Sequence, residues 1–398
     1  MTEQHFPLRR GLVQGLRRWF AQPRWAVVRT HLAVFDGPLM LIIGLLALLS
    51  LITLYSAGSD FPGRFEGQLR NFAAAFLMMW IVANIPPQTL MRFAVPVYTV
   101  GVALLIAVAM FGLVKKGARR WLDLGVVIQP SEIMKIGVPL MLAWYFHKHE
   151  TLIRGRDFLS AAILLAVPVG LIARQPDLGT ALLVLAAGLY VIYFAGLSWK
   201  LIVPVLVLGL IGVGALLLAQ DQICATEVAW PFMHDYQKQR ICTLLDPSTD
   251  PLGRGFHTLQ SAIALGSGGF FGKGYMQGTQ SHLQFIPERT TDFIFAVFAE
   301  EFGLLGNLIL MVLYLALIAR GLYIAANAPS YFSRLLAGGI TLIFFTYAFV
   351  NMGMVSGLLP VVGVPLPFMS YGGTALVTLG IGAGILMTIQ RHRKLVQT

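Results

Sequence analysis

The sequence predicts an all-α, polytopic membrane protein of about ten transmembrane helices, with one long polar loop between the seventh and the eighth. Three observations carry this. Of the 398 residues, 57% are hydrophobic and only 12% are charged, against about a quarter charged in soluble domains. The mean hydropathy is +0.74. Apolar runs recur along the whole chain, most of them close to the roughly 20 residues that a helix needs to cross a bilayer. They fall at 36–56, 70–85, 92–113, 131–147, 158–174, 178–196, 200–219, 291–319, 333–355 and 371–390. An even number of spans puts both termini on one side.

Residues 1–33 precede the first span and are polar and basic, with Arg9, Arg10, Arg17, Arg18, Arg24 and Arg29. Leu12, Val13, Leu16, Trp19 and Phe20 share a helical face there. The segment fits either an interfacial amphipathic helix on an anionic leaflet or a basic tail that fixes topology. The first apolar run starts too late and is too long for a cleavable signal peptide. The net charge of +11 points to positive loops and membrane lipid headgroups rather than nucleic acid. Basic residues in the short terminal segments favour cytoplasmic N and C termini. The opposite face still holds Lys115, Lys116, Arg119 and Arg120, which topology does not explain and an anionic ligand would.

The long loop, about 220–290, exceeds a bare connection. Phe256, Leu259 and Ile263 have helical spacing within it and predict a short helix over 256–265. Its Cys224 and Cys242 are either a disulfide, if the loop is extracytoplasmic, or two unpaired thiols. No metal-ligand spacing is present.

Five stretches carry chemistry. In GARRWLDLGVVIQPSEIMK (117–135), Pro130 suits a first helical turn. Glu132 and Lys135 lie three apart and can pair inside the bilayer, below a cationic rim at Arg119 and Arg120 suited to phosphate. In ARQPDLGTA (173–181), Asp177 fits a helix cap or a polar cavity shared with Glu132 and Lys135. Gly266–Gly278 is not a P-loop, because Ser267 and Gly274 occupy the positions that need Gly and Ser or Thr. Its Lys273 is placed to meet an anion. In PERTTDF, Asp292 stands at the mouth of the eighth span, with Thr291 as a candidate cap and Glu288 and Arg289 beside it. A carboxylate at a cavity wall can act as a general base. Glu300 and Glu301 lie two turns further on and fit bundle or partner contacts. GLLPVVGVPLPFMSYGG (357–373) reads as a folded segment lining a cavity, with Ser370 and Tyr371 as its polar members.

These motifs resemble the SEDS family. GARRWLDLG with QPSE, QPDLGTA, LDPSTDPLG with QSAIALGSGGFFGKG, IPERTTDFIFAV with EEFG, and GLLPVVGVPLPFMSYGG stand in family order between about residues 37 and 390. The LDLG, LDPSTDPLGRGFH and VGVPLPFMSYGG forms look closer to the RodA branch than to FtsW, although Arg119-Arg120 looks like FtsW. The basic extension 1–33 and the two cysteines lie outside the pattern.

The resemblance implies a single membrane domain over 34–398 in the inner membrane of a bacterium. It implies a peptidoglycan glycosyltransferase that polymerises lipid II at the outer face during elongation, with a class B penicillin-binding protein and other elongation-complex proteins as partners. Asp292 matches the family's essential aspartate. Arg120, Glu132, Lys135, Asp177 and Lys273 fall within family motifs that line the outer cavity; with Arg119, Arg289 and Thr291, read from the residues themselves, they are the expected substrate contacts. The pattern fixes no cofactor, and Mg²⁺ or Mn²⁺ near Asp292 is one way to stabilise a departing pyrophosphate. A lipid II flippase is the alternative, since it too would use intramembrane charges and a cation-rich cavity.

Overall fold

The computed structural model describes residues 34–219 and 254–393, apart from 116, 117, 124, 126, 284 and 287, together with six positions between these stretches. The basic segment 1–33 and most of 220–253 lie outside the described residues. The chain runs α1 (Gly37–Ala57), α2 (Arg64–Ala83), α3 (Pro87–Phe111), β1 (Leu113–Lys115), β2 (Ala118–Asp123), β3 (Val127–Ile128), α4 (Pro130–Lys148), α5 (Gly155–Arg174), α6 (Leu178–Phe194) and α7 (Trp199–Leu218). It continues with α8 (Arg254–Ser267), α9 (Thr279–His282), α10 (Ile294–Ala326), α11 (Tyr331–Val355) and α12 (Gly373–Arg393).

Among the described residues, six helices are long and apolar enough to cross a membrane: α1, α3, α5, α10, α11 and α12. α2 and α4 fall short because their first turns are polar, with Arg64, Glu66 and Gln68 on one and Glu132 and Lys135 on the other. α6 has only 17 residues. The predicted short helix appears as α8, held to α11 by Ser261, whose hydroxyl donates to the Val355 carbonyl at 3.0 Å. Cys224 and Cys242 are joined in a disulfide, which decides between the two readings of that pair.

Two features depart from the sequence-based expectation. The chain is not wholly helical: β1, β2 and β3 form an antiparallel three-stranded sheet. The segment between α3 and α4 needs partners for its backbone amides, and pairing with itself supplies them. The second departure is in α10, which is two helices. Gly303, at φ 63°, breaks it, so the expected span from 291 divides into a buried stub, 294–302, and a longer rod, 304–326. The glycine stretch acts as a splint across this break. Gly269 and Phe270 accept at their carbonyls from Leu304 and Leu305, while Lys273 and Gly274 donate from their backbone amides to Glu300 and Glu301. A Cβ on Gly268 or Gly272 would strike the backbone of Ala299 or Glu301. The glycines therefore serve close backbone approach.

α12 packs on α2, α10 on α11, and α3 on α4. Gly380 and Gly384, one turn apart, bring the first pair together: a Cβ at either would lie 2.6 Å from the carbonyl oxygen of Ala75 or Met79. Small residues at helix contacts are the usual route to close packing in a bilayer.

Candidate functional site

The loops at the sheet end of the bundle build the site. Gln129 precedes Pro130 at the start of α4, which places Glu132 and Lys135 one turn in, side by side. Lys135 Nζ donates to Glu132 Oε1 at 2.6 Å and to the Tyr347 hydroxyl of α11 at 2.5 Å. Asp177 caps α6 through the amide of Thr180, accepts from Gln129 Nε2 at 3.1 Å, and faces Arg120 Nη1 at 3.6 Å. Arg120 Nη2 also donates to the Pro176 carbonyl at 2.5 Å. Asp177 thus fulfils both roles open to it, cap and cavity member.

These groups line one polar cavity of about 230 Å³, whose walls include Arg120, Trp121, Gln129, Glu132, Lys135 and Asp177. Gly363, Val364 and Pro365 close another side, as expected of the 357–373 segment. That segment has no regular structure, and side chains from four helices tie it down. Ser50 donates to Met369 O, Gln68 to Ser370 O, Tyr314 to Pro367 O, and Asn351 to Val364 O. Ser370 donates to the Thr291 carbonyl at 2.6 Å and accepts from the Leu366 amide, so its hydroxyl serves the fold.

Asp292 sits in the turn before the α10 stub. Its Oδ2 lies 3.4 Å from where a Cβ on Gly363 would stand. Gly363 is at φ 72° and lets the carboxylate lie against the backbone of the cavity wall.

An apolar groove of about 640 Å³ lies beside this cavity, between α2, α3, α4 and α12. Phe93, Val97, Ile133, Ile136, Val377 and Ile381 line it, and Gln129, Glu132 and Thr374 belong to both spaces. A charged chamber therefore adjoins an oily channel, with Glu132 at the junction.

Four expected contacts are elsewhere. Arg119 neighbours Arg120 on β2, and adjacent strand residues point to opposite faces. It reaches back instead to the Ala109 carbonyl at the end of α3. Lys273 meets an anion, but an internal one: Glu300 Oε1 at 2.6 Å. Arg289 is 2% exposed, donates to Ala57 O at 2.8 Å and to Asp60 Oδ2 at 2.5 Å, and stacks on Phe61. It locks the α1–α2 turn to the Asp292 turn. Arg289→Met is expected to lower stability to thermal unfolding in detergent by about 2 kcal/mol or more; an unchanged midpoint would contradict that role. The Thr291 hydroxyl donates to Glu288 rather than capping α10. Glu301 pairs with Ser56 of α1, and with Glu300 on Lys273 both acids are bundle contacts.

Gln129, Tyr347, Asn351 and Thr374 escaped the sequence reading. A lone Asn in the apolar run 333–355 is a signal that intramembrane polarity alone would have raised; Tyr347 gives none. Among the described residues, no three His, Cys, Asp or Glu side chains are grouped to hold a metal ion.

A profile of the FtsW/RodA/SpoVE cell cycle proteins matches residues 31–395. The peptidoglycan glycosyltransferase MrdB of Escherichia coli K12 is 50% identical over 363 residues, covering 91% of this chain and 95% of that protein. The peptidoglycan glycosyltransferase RodA of Treponema pallidum is 30% identical, covering 90% and 99%. A chain in a solved peptidoglycan synthase complex, described as coordinating polymerisation and crosslinking, superposes with a TM-score of 0.72 at 32% identity, covering 92% of this chain and 99% of that one. The rod shape determining protein RodA of Thermus thermophilus gives a TM-score of 0.66 at 28% identity, covering 90% and 97%. With its motifs in family order and nearly its whole length matched, the chain belongs to the SEDS family of FtsW/RodA/SpoVE cell cycle proteins.

Proposed function

We propose that this chain is a peptidoglycan glycosyltransferase that polymerises lipid II into glycan strands at the outer face of a bacterial inner membrane. The observation that carries this reading is the polar cavity adjoining an apolar groove, with Gln129, Glu132 and Thr374 shared between them. A polyisoprenoid tail, a pyrophosphate and a sugar need that succession of environments, oily then charged. The ten long helices form one domain over 34–398, spanning the membrane ten times, with both termini cytoplasmic. The disulfide in the 220–290 loop supports an extracytoplasmic position for that loop and for the sheet end, since disulfides persist in oxidising compartments.

The Asp292 carboxylate takes the proton of the acceptor's sugar 4-hydroxyl. That oxygen attacks the anomeric carbon of the lipid-linked donor from the face opposite the leaving group. The bond from the anomeric carbon to the phosphate oxygen breaks, and the polyprenyl pyrophosphate departs with the electron pair, inverting the configuration. The cavity holds two cations, Arg120 and Lys135, and two carboxylates, Glu132 and Asp177, so it is balanced before the substrate enters. Arg120 is the freer of its pair, its side chain 32% exposed against 7% for Asp177. It turns from Asp177 to the pyrophosphate as charge develops there.

The synthase complex described above supports a class B penicillin-binding protein as partner in cell elongation, with other elongation-complex proteins around it. The test is polymerisation of labelled lipid II by the purified chain and this partner in detergent, where no membrane separates two sides. Glycan product supports the enzyme. Movement of lipid II between liposome leaflets without product would favour the flippase.

A further inference from the structure

α11 carries two fully buried polar side chains one turn apart, Tyr347 and Asn351. Residues at this spacing share a helix face. Tyr347 reaches Lys135. Asn351 Nδ2 donates to the Asp292 carbonyl at 2.8 Å and to the Val364 carbonyl at 2.7 Å, which uses both hydrogens of its amide. The two acceptors belong to the backbone stretches on either side of the Asp292 carboxylate. One is the residue itself. The other follows Gly363, against which that carboxylate lies. Neither stretch is helical, so regular secondary structure does not set their separation.

We infer that Asn351 is a positioning residue for glycosyl transfer. It clamps the Asp292 turn to the Gly363–Val364 wall and thereby holds the carboxylate at that wall of the polar cavity. One face of α11 then serves the whole site, steadying Lys135 through Tyr347 and Asp292 through Asn351. The inference rests on the reading of Asp292 as the proton acceptor. A small displacement of a reacting group costs far more in turnover than in binding when the binding surfaces are elsewhere. Here the substrate's tail and pyrophosphate meet the groove and Arg120, which Asn351 does not touch.

The test is steady-state polymerisation of lipid II by the full chain with its partner, for wild type, Asn351→Leu, Asn351→Ser and Met354→Ala. Leu has the same branching and number of heavy atoms as Asn and no donors; Ser is too short to span both carbonyls. Both are expected to lower kcat about tenfold or more with KM within about twofold. Met354, fully buried on the same helix and apolar, controls for packing: its variant loses thermal stability and keeps kcat. The clamp is overturned if both Asn351 variants keep wild-type kcat, or lose it only as far as Met354→Ala does at equal stability, or raise KM as much as they lower kcat. Should the Leu variant not fold, the Ser variant decides alone. Asp292→Ala in the same assay separates the two claims. If it retains activity, the role given to Asp292 fails. If it is inactive while the Asn351 variants are normal, only the clamp fails.

Discussion

Asp292→Ala is expected to lower lipid II polymerisation by about 10²–10⁴-fold, the usual contribution of a positioned general base. Asp292→Asn should do the same, because it keeps the shape and loses the proton acceptor. Two details make the result specific. The carboxylate lies at the Gly363 wall, so its removal leaves the groove and Arg120 untouched and lipid II binding is retained. Its backbone carbonyl is held by Asn351, so the turn keeps its place and the protein stays folded. The measurement is turnover of labelled lipid II alongside direct binding. Turnover within threefold of wild type would remove Asp292 from the chemistry, and loss of binding would mean that it holds substrate rather than activating it.

Lys135→Met is expected to destabilise the fold by about 3–5 kcal/mol, the penalty for stranding a buried charge. Lys135 and Glu132 are almost fully enclosed, with side chains 3% and 11% exposed. The ammonium sits between the Glu132 carboxylate and the Tyr347 hydroxyl, and Glu132 Oε2 already lacks a hydrogen-bond partner. Removing the lysine leaves that carboxylate without its counter-charge. The double variant Glu132→Gln/Lys135→Met should recover much of the loss, since the uncompensated charge has gone. Unfolding midpoints in detergent of wild type, Lys135→Met, Glu132→Gln and the double variant test this. Additive losses in the double variant would mean that the two side chains do not act as a pair.

The elements that sequence made readable are those whose determinants are local. The apolar runs mark α1, α3, α5 and α11 to within a few residues. The Glu132–Lys135 pair follows from their spacing once Pro130 starts the helix. α2 begins at Arg64, six residues before the expected 70, because Glu66 and Gln68 make its first turns polar and Gln68 spends its amide on Ser50 and Ser370. The break at Gly303 lies inside the run 291–319, which reads as one span; the arrival of the glycine stretch from about thirty residues upstream explains it. The charges misled for a related reason. Arg289 and Lys273 read as substrate contacts, yet each pairs within the chain, Arg289 with Asp60, 229 residues away, and Lys273 with Glu300, 27 away. Pairings over such separations leave no trace in spacing. Glu132 and Asp177 do meet in one cavity, because each lies beside the backbone motif that positions it.

The glycine splint bears on how the molecule can be labelled. Residues 268–274 carry exposed Phe270 and Phe271 and read as an open loop, the ordinary site for an epitope or a fluorescent insertion. Four backbone hydrogen bonds run from this segment to both sides of the Gly303 break. An insertion there would release the stub that leads to Asp292 and inactivate the enzyme from a distance. The turn between α4 and α5 suits a tag better. Glu150, Thr151 and Leu152 are exposed there, and the amides of Glu150 and Leu152 bond only to His147 and His149, a few residues back.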